Sequence, residues 1–149
     1  MAAHAPPPAV SLRLTRRLAQ SPEAVFDAWT TREALSRWFA PSDEHTAVVT
    51  ALELRPGGVY RIEVRHAGNA VRSVTGSYRE ITRPTRLVFT WRWEEKPGDG
   101  ETLVTVSLRR VGTGCELELV HEQFADDAQR SGHEKGWIGC LDRLERTLS

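Results

Sequence analysis

SGHEKGWIGCLDRLERTLS, residues 131–149, has a helical period and three glycines inside it. Each interior glycine costs a helix roughly 0.5–1 kcal/mol relative to alanine, because glycine loses more backbone freedom on ordering. At about 100° per residue from His133, the side chains of Cys140, Leu144, Trp137, Leu148 and Leu141 fall within an arc of roughly 100°. That arc is the apolar stripe of an amphipathic helix. Gly132, Gly136 and Gly139, spaced i, i+4, i+7, lie together on its flank. A glycine flank beside a tryptophan-bearing stripe has two uses: another backbone packs closely there, or the space belongs to a ligand.

The stripe needs a partner, and the preceding segments supply a sheet. In RLVFTWRW, residues 86–93, Leu87, Phe89, Trp91 and Trp93 share one face, and Val88, Thr90 and Arg92 share the other. The same parity groups Tyr60, Ile62 and Val64; Val74, Gly76 and Tyr78; Val104, Val106 and Leu108; and Cys115, Leu117, Leu119 and His121. These segments, with residues 46–55 before them, are separated by short turns such as Pro56-Gly57-Gly58, Ala67-Gly68-Asn69 and Val111-Gly112-Thr113-Gly114. Six strands so joined form an antiparallel meander.

Ahead of the meander, Val10, Leu12 and Leu14 alternate with polar neighbours and predict a first strand. Ser21-Pro22-Glu23 then opens a helix carrying Val25, Phe26 and Trp29. Thr30 or Thr31 offers the cap of a second helix, with Leu35, Trp38 and Phe39, which Pro41 stops. Segregated helices and antiparallel strands make an α+β architecture.

Twenty basic residues balance twenty acidic ones, so no net charge drives association with nucleic acid or an anionic membrane. No apolar run approaches the roughly 18–20 residues of a membrane span. Cys115 and Cys140 form no CxxC pair, and two such thiols point to a reducing compartment. The opening MAAHAPPPAV has neither the basic nor the apolar region of a secretory signal. The expectation is a cytoplasmic protein with a flexible tail over residues 1–9 and one domain over 10–149.

Several stretches carry a family resemblance: SPEAVFDAWTTREALSRWFAP (21–41), LRPGGVYRIEV (54–64), GSYREITRPTRLVFTW (76–91), and ELVHEQF (118–124) with HEKGWIGCLDRL (133–144). Together they resemble the Aha-type domain, named for homology to activators of the ninety-kilodalton heat-shock chaperone ATPase, within the START-like (SRPBCC) superfamily. The resemblance implies a helix-grip fold: a seven-stranded antiparallel sheet wrapped around a long C-terminal helix, with two short helices after the first strand and a cavity between helix and sheet. It does not imply one function, since the superfamily includes lipid and polyketide binders, cyclases, hydrolases and chaperone partners.

The residues narrow the chemistry. HEKGW begins like the zinc-protease motif HExxH, but Trp137 occupies the second histidine's place. A zinc site from Cys115, His121, His133 and Cys140 would need a spacing outside the recognised ligand patterns, so no metal and no cofactor is expected. His121 and His133 are the acid/base candidates. Tyr60 and Tyr78 offer phenols to a ligand oxygen, and Arg72 has the parity to reach the cavity mouth or to snorkel to solvent. No glycine-rich phosphate loop, G-x-S-x-G serine or inward carboxylate pair is present.

The sequence therefore suggests a binding protein for a small apolar or aromatic molecule. The first two helices would contribute Trp29, Trp38 and Phe39 to its cavity. The sheet would add Tyr60, Tyr78, Phe89, Trp91, Trp93 and His121, and the last helix His133, Trp137, Cys140, Leu141 and Leu144. The alternatives are a cyclase or hydrolase using a cavity histidine, and a co-chaperone module stimulating a heat-shock chaperone ATPase. The eukaryotic activators carry a separate N-terminal domain, which ranks the co-chaperone reading lower. A chaperone partner and a homodimer remain open.

Overall fold

The computed structural model describes residues 10–148; the tail expected over residues 1–9 lies outside them. Strand β1 (Val10–Leu18) is followed by helices α1 (Pro22–Thr30) and α2 (Arg32–Trp38). The meander then runs β2 (His45–Leu52), β3 (Val59–His66), β4 (Asn69–Thr82), β5 (Arg86–Trp93), β6 (Thr102–Val111) and β7 (Gly114–Phe124), and α3 (Asp127–Leu148) follows. The seven strands form one sheet in the order β1-β7-β6-β5-β4-β3-β2, antiparallel at every pairing. This is the helix-grip arrangement, with α3 held against one face.

Local chemistry places the helix starts. Ser21 caps α1 by accepting from the Ala24 N–H at 3.2 Å, with Pro22 in the first turn. Thr31 stands at the N-cap of α2, but its side chain does not cap. The Thr30 and Thr31 hydroxyls instead donate back to the carbonyls of Phe26 and Asp27. Helix α3 begins at Asp127, ahead of the quoted stretch, because Asp126 Oδ1 accepts from the Gln129 N–H at 2.8 Å. Gln129 Oε1 returns a bond to the Ala125 N–H at 3.3 Å, so side chains satisfy two backbone donors at this end.

The inward parity holds along the sheet: Ile62, Val74, Leu87, Val104, Leu117 and Leu119 are all buried, each contributing roughly 1.5–3 kcal/mol. Two departures matter for the interior. Thr90, on the other face of β5, is also buried, and its hydroxyl accepts from the Ser77 N–H at 2.8 Å. Its carbonyl accepts from the Tyr60 hydroxyl at 2.5 Å. Gly76 pairs with Tyr60, and a Cβ there would stand 2.0 Å from the Thr90 oxygen. Glycine is therefore required where the phenol, the carbonyl and β4 converge.

The second departure is at the end of β7. Gln123 adopts φ 75° and the β1–β7 register shifts between Val10 and Leu12. A bulge of this kind re-aims the next side chain, and Phe124 turns inward although strict alternation from His121 would turn it out. Its ring lies 4.4 Å from that of His121 and 4.8 Å from that of His133, centroid to centroid.

Candidate functional site

The C-terminal half of α3 is fastened to the sheet and to the loop after α2. Arg16 on β1 pairs with Asp142 at 2.7 Å and Glu145 at 3.2 Å. Asp43 pairs with Arg143 at 2.7 Å and Arg146 at 2.9 Å, while Arg143 Nη2 donates to the Arg37 carbonyl. The N-terminal half of α3 borders a groove of about 830 Å³. Gly132, His133, Gly136, Trp137 and Cys140 form its helical wall. Trp91 and Trp93 come from the end of β5, Val64, Val71 and Arg72 from the β3–β4 hairpin, and Phe39, Ala40 and Pro41 from the loop after α2.

The three glycines divide between the two uses that the sequence left open. A Cβ at Gly132 or Gly136 would meet nothing within 4 Å, so these two positions border open space. A Cβ at Gly139 would stand 2.0 Å from the Pro41 carbonyl oxygen. About 4.5 Å further along the helix than Gly136, the glycine flank passes from groove to backbone contact.

Two indole–imidazole pairs run through this wall, and of their four rings only His121 lies behind it. Trp137 Nε1–H donates to His121 Nδ1 at 3.0 Å, and His121 Nε2 is 2.7 Å from the Thr102 hydroxyl. The Thr102 hydroxyl donates to the Trp91 carbonyl at 3.1 Å. Because Nδ1 accepts, neutral His121 carries its proton on Nε2 and donates it to Thr102. In the second pair Trp93 Nε1–H donates to His133 Nε2 at 2.9 Å, and His133 Nδ1 lies 2.7 Å from the Gln129 carbonyl, to which it donates. His133 is thus the opposite tautomer.

Both imidazoles favour the neutral form. Burial holds His121 well below the ordinary imidazole value, and the neighbouring His133 adds to that. Burial also lowers His133; its bond to the Gln129 carbonyl opposes this, and the Arg72 charge reinforces it. The two rings stand 5.1 Å apart. All four ring nitrogens are occupied by protein partners, so proton transfer through either histidine would first require an indole or an acceptor to be displaced.

Of the residues expected to contact a ligand, Phe39, Trp91, Trp93, His133, Trp137 and Cys140 meet at the groove. Trp29, Tyr60, Tyr78 and Phe89, with Phe39 and Trp91, surround a separate void of about 20 Å³, room for about one water and no larger ligand. Burial pushes the Tyr78 phenol up to about 12 and Tyr60 well above its usual value, so both stay protonated near neutral pH. Trp38, His121, Leu141 and Leu144 are buried beyond the groove lining. Trp38 Nε1–H donates to the Ala28 carbonyl at 2.9 Å. The buried Trp29 and Trp91 N–H groups have no partner among the described residues. The sequence reading omitted Val64, Val71, Ala40, Pro41 and His45, which also line the groove.

The cysteines are set apart from reactive chemistry. Cys140 lines the groove, yet burial pushes its thiol up to about 12; burial raises Cys115 as well. The thiolate is the nucleophile, so the native protein is expected to leave both thiols unmodified by Ellman's reagent at about pH 8. Release of both on denaturation would confirm this, and fast native labelling would contradict it. Cys115 pairs with Leu18, while His121 pairs with Leu12 further along β7. Among the described residues no group of three or more His, Cys, Asp or Glu side chains is placed to hold a metal ion. No helix among them is long and apolar enough to cross a membrane.

The fold has many solved relatives. Protein CV1439 from Chromobacterium violaceum is 26% identical with a TM-score of 0.84, over 93% of this chain and 96% of that one. The AHSA1 protein SPO3351 from Silicibacter pomeroyi is 28% identical with a TM-score of 0.78, over 93% and 97%. CalU16 from Micromonospora echinospora is 26% identical with a TM-score of 0.72, over 95% and 77%. No curated protein matches the chain. The family described as "Activator of Hsp90 ATPase homolog 1-like protein" matches residues 19–149. With that match across its two helices, meander and grip helix, the chain belongs to the AHSA1-like family of the START-like (SRPBCC) superfamily.

Proposed function

We propose that the protein binds a small apolar or aromatic molecule in the groove beside α3. The observation that carries this reading is the pair of glycines facing open space, Gly132 and Gly136, opposite the indoles of Trp91 and Trp93. A helix that gives up roughly 1–2 kcal/mol of propensity at two positions, without using them for packing, is holding space. The apolar part of the wall, Phe39, Val64, Trp91, Trp93 and Trp137, suits an apolar guest. Phenylnaphthylamine, a neutral dye that fluoresces in apolar surroundings, is expected to bind and to quench the groove tryptophans. Gly136→Leu, which puts a side chain into the groove, is expected to weaken binding by roughly tenfold or more without unfolding the protein. Equal binding by the variant would place the dye elsewhere and sink the reading.

The family description supports a second reading, that of a partner stimulating an Hsp90-type ATPase. Stimulated ATP hydrolysis and a complex on mixing with such a chaperone would support it; no complex and unchanged hydrolysis would end it. A superfamily cyclase or hydrolase working through His121 or His133 would first have to displace the indole, Trp137 or Trp93, or the acceptor, Thr102 or the Gln129 carbonyl, from its imidazole. Turnover that survives replacement of both histidines would eliminate that mechanism.

A further inference from the structure

We propose that the occupant of the groove carries an anionic group, which Arg72, Lys96 and Lys135 receive at the open end. The inference rests on the groove being a ligand site and adds the charge of the ligand to it.

Of the twenty basic residues only Lys96 and Lys135 are lysines, and both line this groove together with Arg72. Their environment differs from that of most other cations in the molecule. Arg16, Arg61, Arg83, Arg110, Arg130 and Arg143 each hold a carboxylate at 3.0 Å or less. Among the described residues, Arg72, Lys96 and Lys135 have no carboxylate within 4 Å.

Two acids, Asp99 and Asp126, also line the mouth, but Asp126 Oδ1 is already used at the start of α3. Three cations therefore face two carboxylates, and none of the three is neutralised by contact. The Arg72 guanidinium lies 4.9 Å from the centre of the Trp93 ring. Stacking of this kind fixes the guanidinium plane while its N–H donors remain free for a planar anion such as a carboxylate or sulfonate. No protein acceptor among the described residues takes a hydrogen bond from the Arg72 guanidinium. The arrangement gives an aromatic slot ending in unpaired positive charge, the complement of an amphipathic aromatic acid.

Anilinonaphthalene sulfonate and phenylnaphthylamine share one aromatic skeleton, and only the first carries a charge. Both are to be titrated into wild-type protein and into the triple variant Arg72→Gln, Lys96→Gln, Lys135→Gln, at low and at high salt. The sulfonate is expected to bind roughly three- to tenfold tighter than the neutral dye at low salt. That preference disappears in the triple variant and at high salt, while the neutral dye still binds to the triple variant. Equal affinities in the wild type, or a sulfonate preference that survives the triple substitution, would overturn the inference and leave the groove as a neutral site. Binding of neither dye would overturn the ligand-site reading and this inference with it.

Discussion

Gly139→Ala is expected to destabilise the protein by about 2 kcal/mol or more, whereas Gly132→Ala and Gly136→Ala are each expected to stabilise it by up to about 1 kcal/mol. The three substitutions are chemically identical and lie within two turns of one helix, so local propensity favours all of them equally. What separates them is the space beyond the Cβ. At Gly139 the new methyl meets the Pro41 carbonyl oxygen, 2.0 Å away, on a backbone held by Asp43 to Arg143 and Arg146. Either α3 or that loop must move. At the other two positions the methyl enters the groove and touches nothing within 4 Å. Thermal or denaturant unfolding of the three variants checks the prediction. A destabilised Gly136→Ala would mean that the groove closes in solution.

Stability is expected to fall on acidification below about pH 6.5, with His121 contributing up to about 1.4 kcal/mol per pH unit. The sign follows from the direction of the shift. Burial depresses the folded-state value of His121 well below 6.5, so the unfolded chain takes up the proton first. Above the unfolded value neither state binds it, and stability does not depend on this group. Between the unfolded and folded values the unfolded state binds more protons, and each unit of acid favours it. The loss ends once pH falls below the folded value. Depressed carboxylates such as Asp27 lose their contribution at lower pH, below the ordinary value of 3.8.

The expected observation is a steeper decline below pH 6.5 in the wild type than in His121→Gln, and a His121 ring that does not titrate through that range by NMR. Its nitrogen shifts should report a proton on Nε2, and those of His133 a proton on Nδ1. Removing the indole donor with Trp137→Phe leaves Nδ1 buried and unpaired, at a cost of about 1–3 kcal/mol. A His121 that titrates normally would contradict the closed chain from Trp137 to the Trp91 carbonyl.

Much of the fold was legible because its signals are periodic. The alternation in residues 59–66 and 86–93 gives the bounds of β3 and β5, and the helical arc from His133 to Leu148 contains the residues that α3 buries. The irregular features were not legible. Phe124 escapes a parity rule because the bulge at Gln123 breaks the alternation. The earlier start of α3 depends on Asp126 and Gln129, a pairing visible as D-x-x-Q in the sequence but outside the stretch that carried the helical period.

The site was harder to read than the fold, since core and groove use the same residue types. Trp38 and Trp91 look alike in the sequence; one is sealed against the Ala28 carbonyl, and the other opens onto the groove. Leu141 and Leu144 share the stripe of Trp137 and Cys140, yet lie where α3 is fastened to the sheet. Val71 and Pro41 reach the groove only through the packing of a hairpin and a loop, which no periodicity encodes. The glycines were the most informative signal, and only tertiary contact distinguishes Gly139 from the other two.

The most direct test of the ligand groove is an amide NMR map of phenylnaphthylamine binding. The shifts are expected at Gly132, His133 and Gly136 on α3, at Val71 and Arg72 on the hairpin, and at Trp91 and Trp93 on β5, with Leu12, Leu18 and Cys115 unmoved. Perturbations absent from those positions, or concentrated on the opposite end of the sheet around Cys115, would contradict the account.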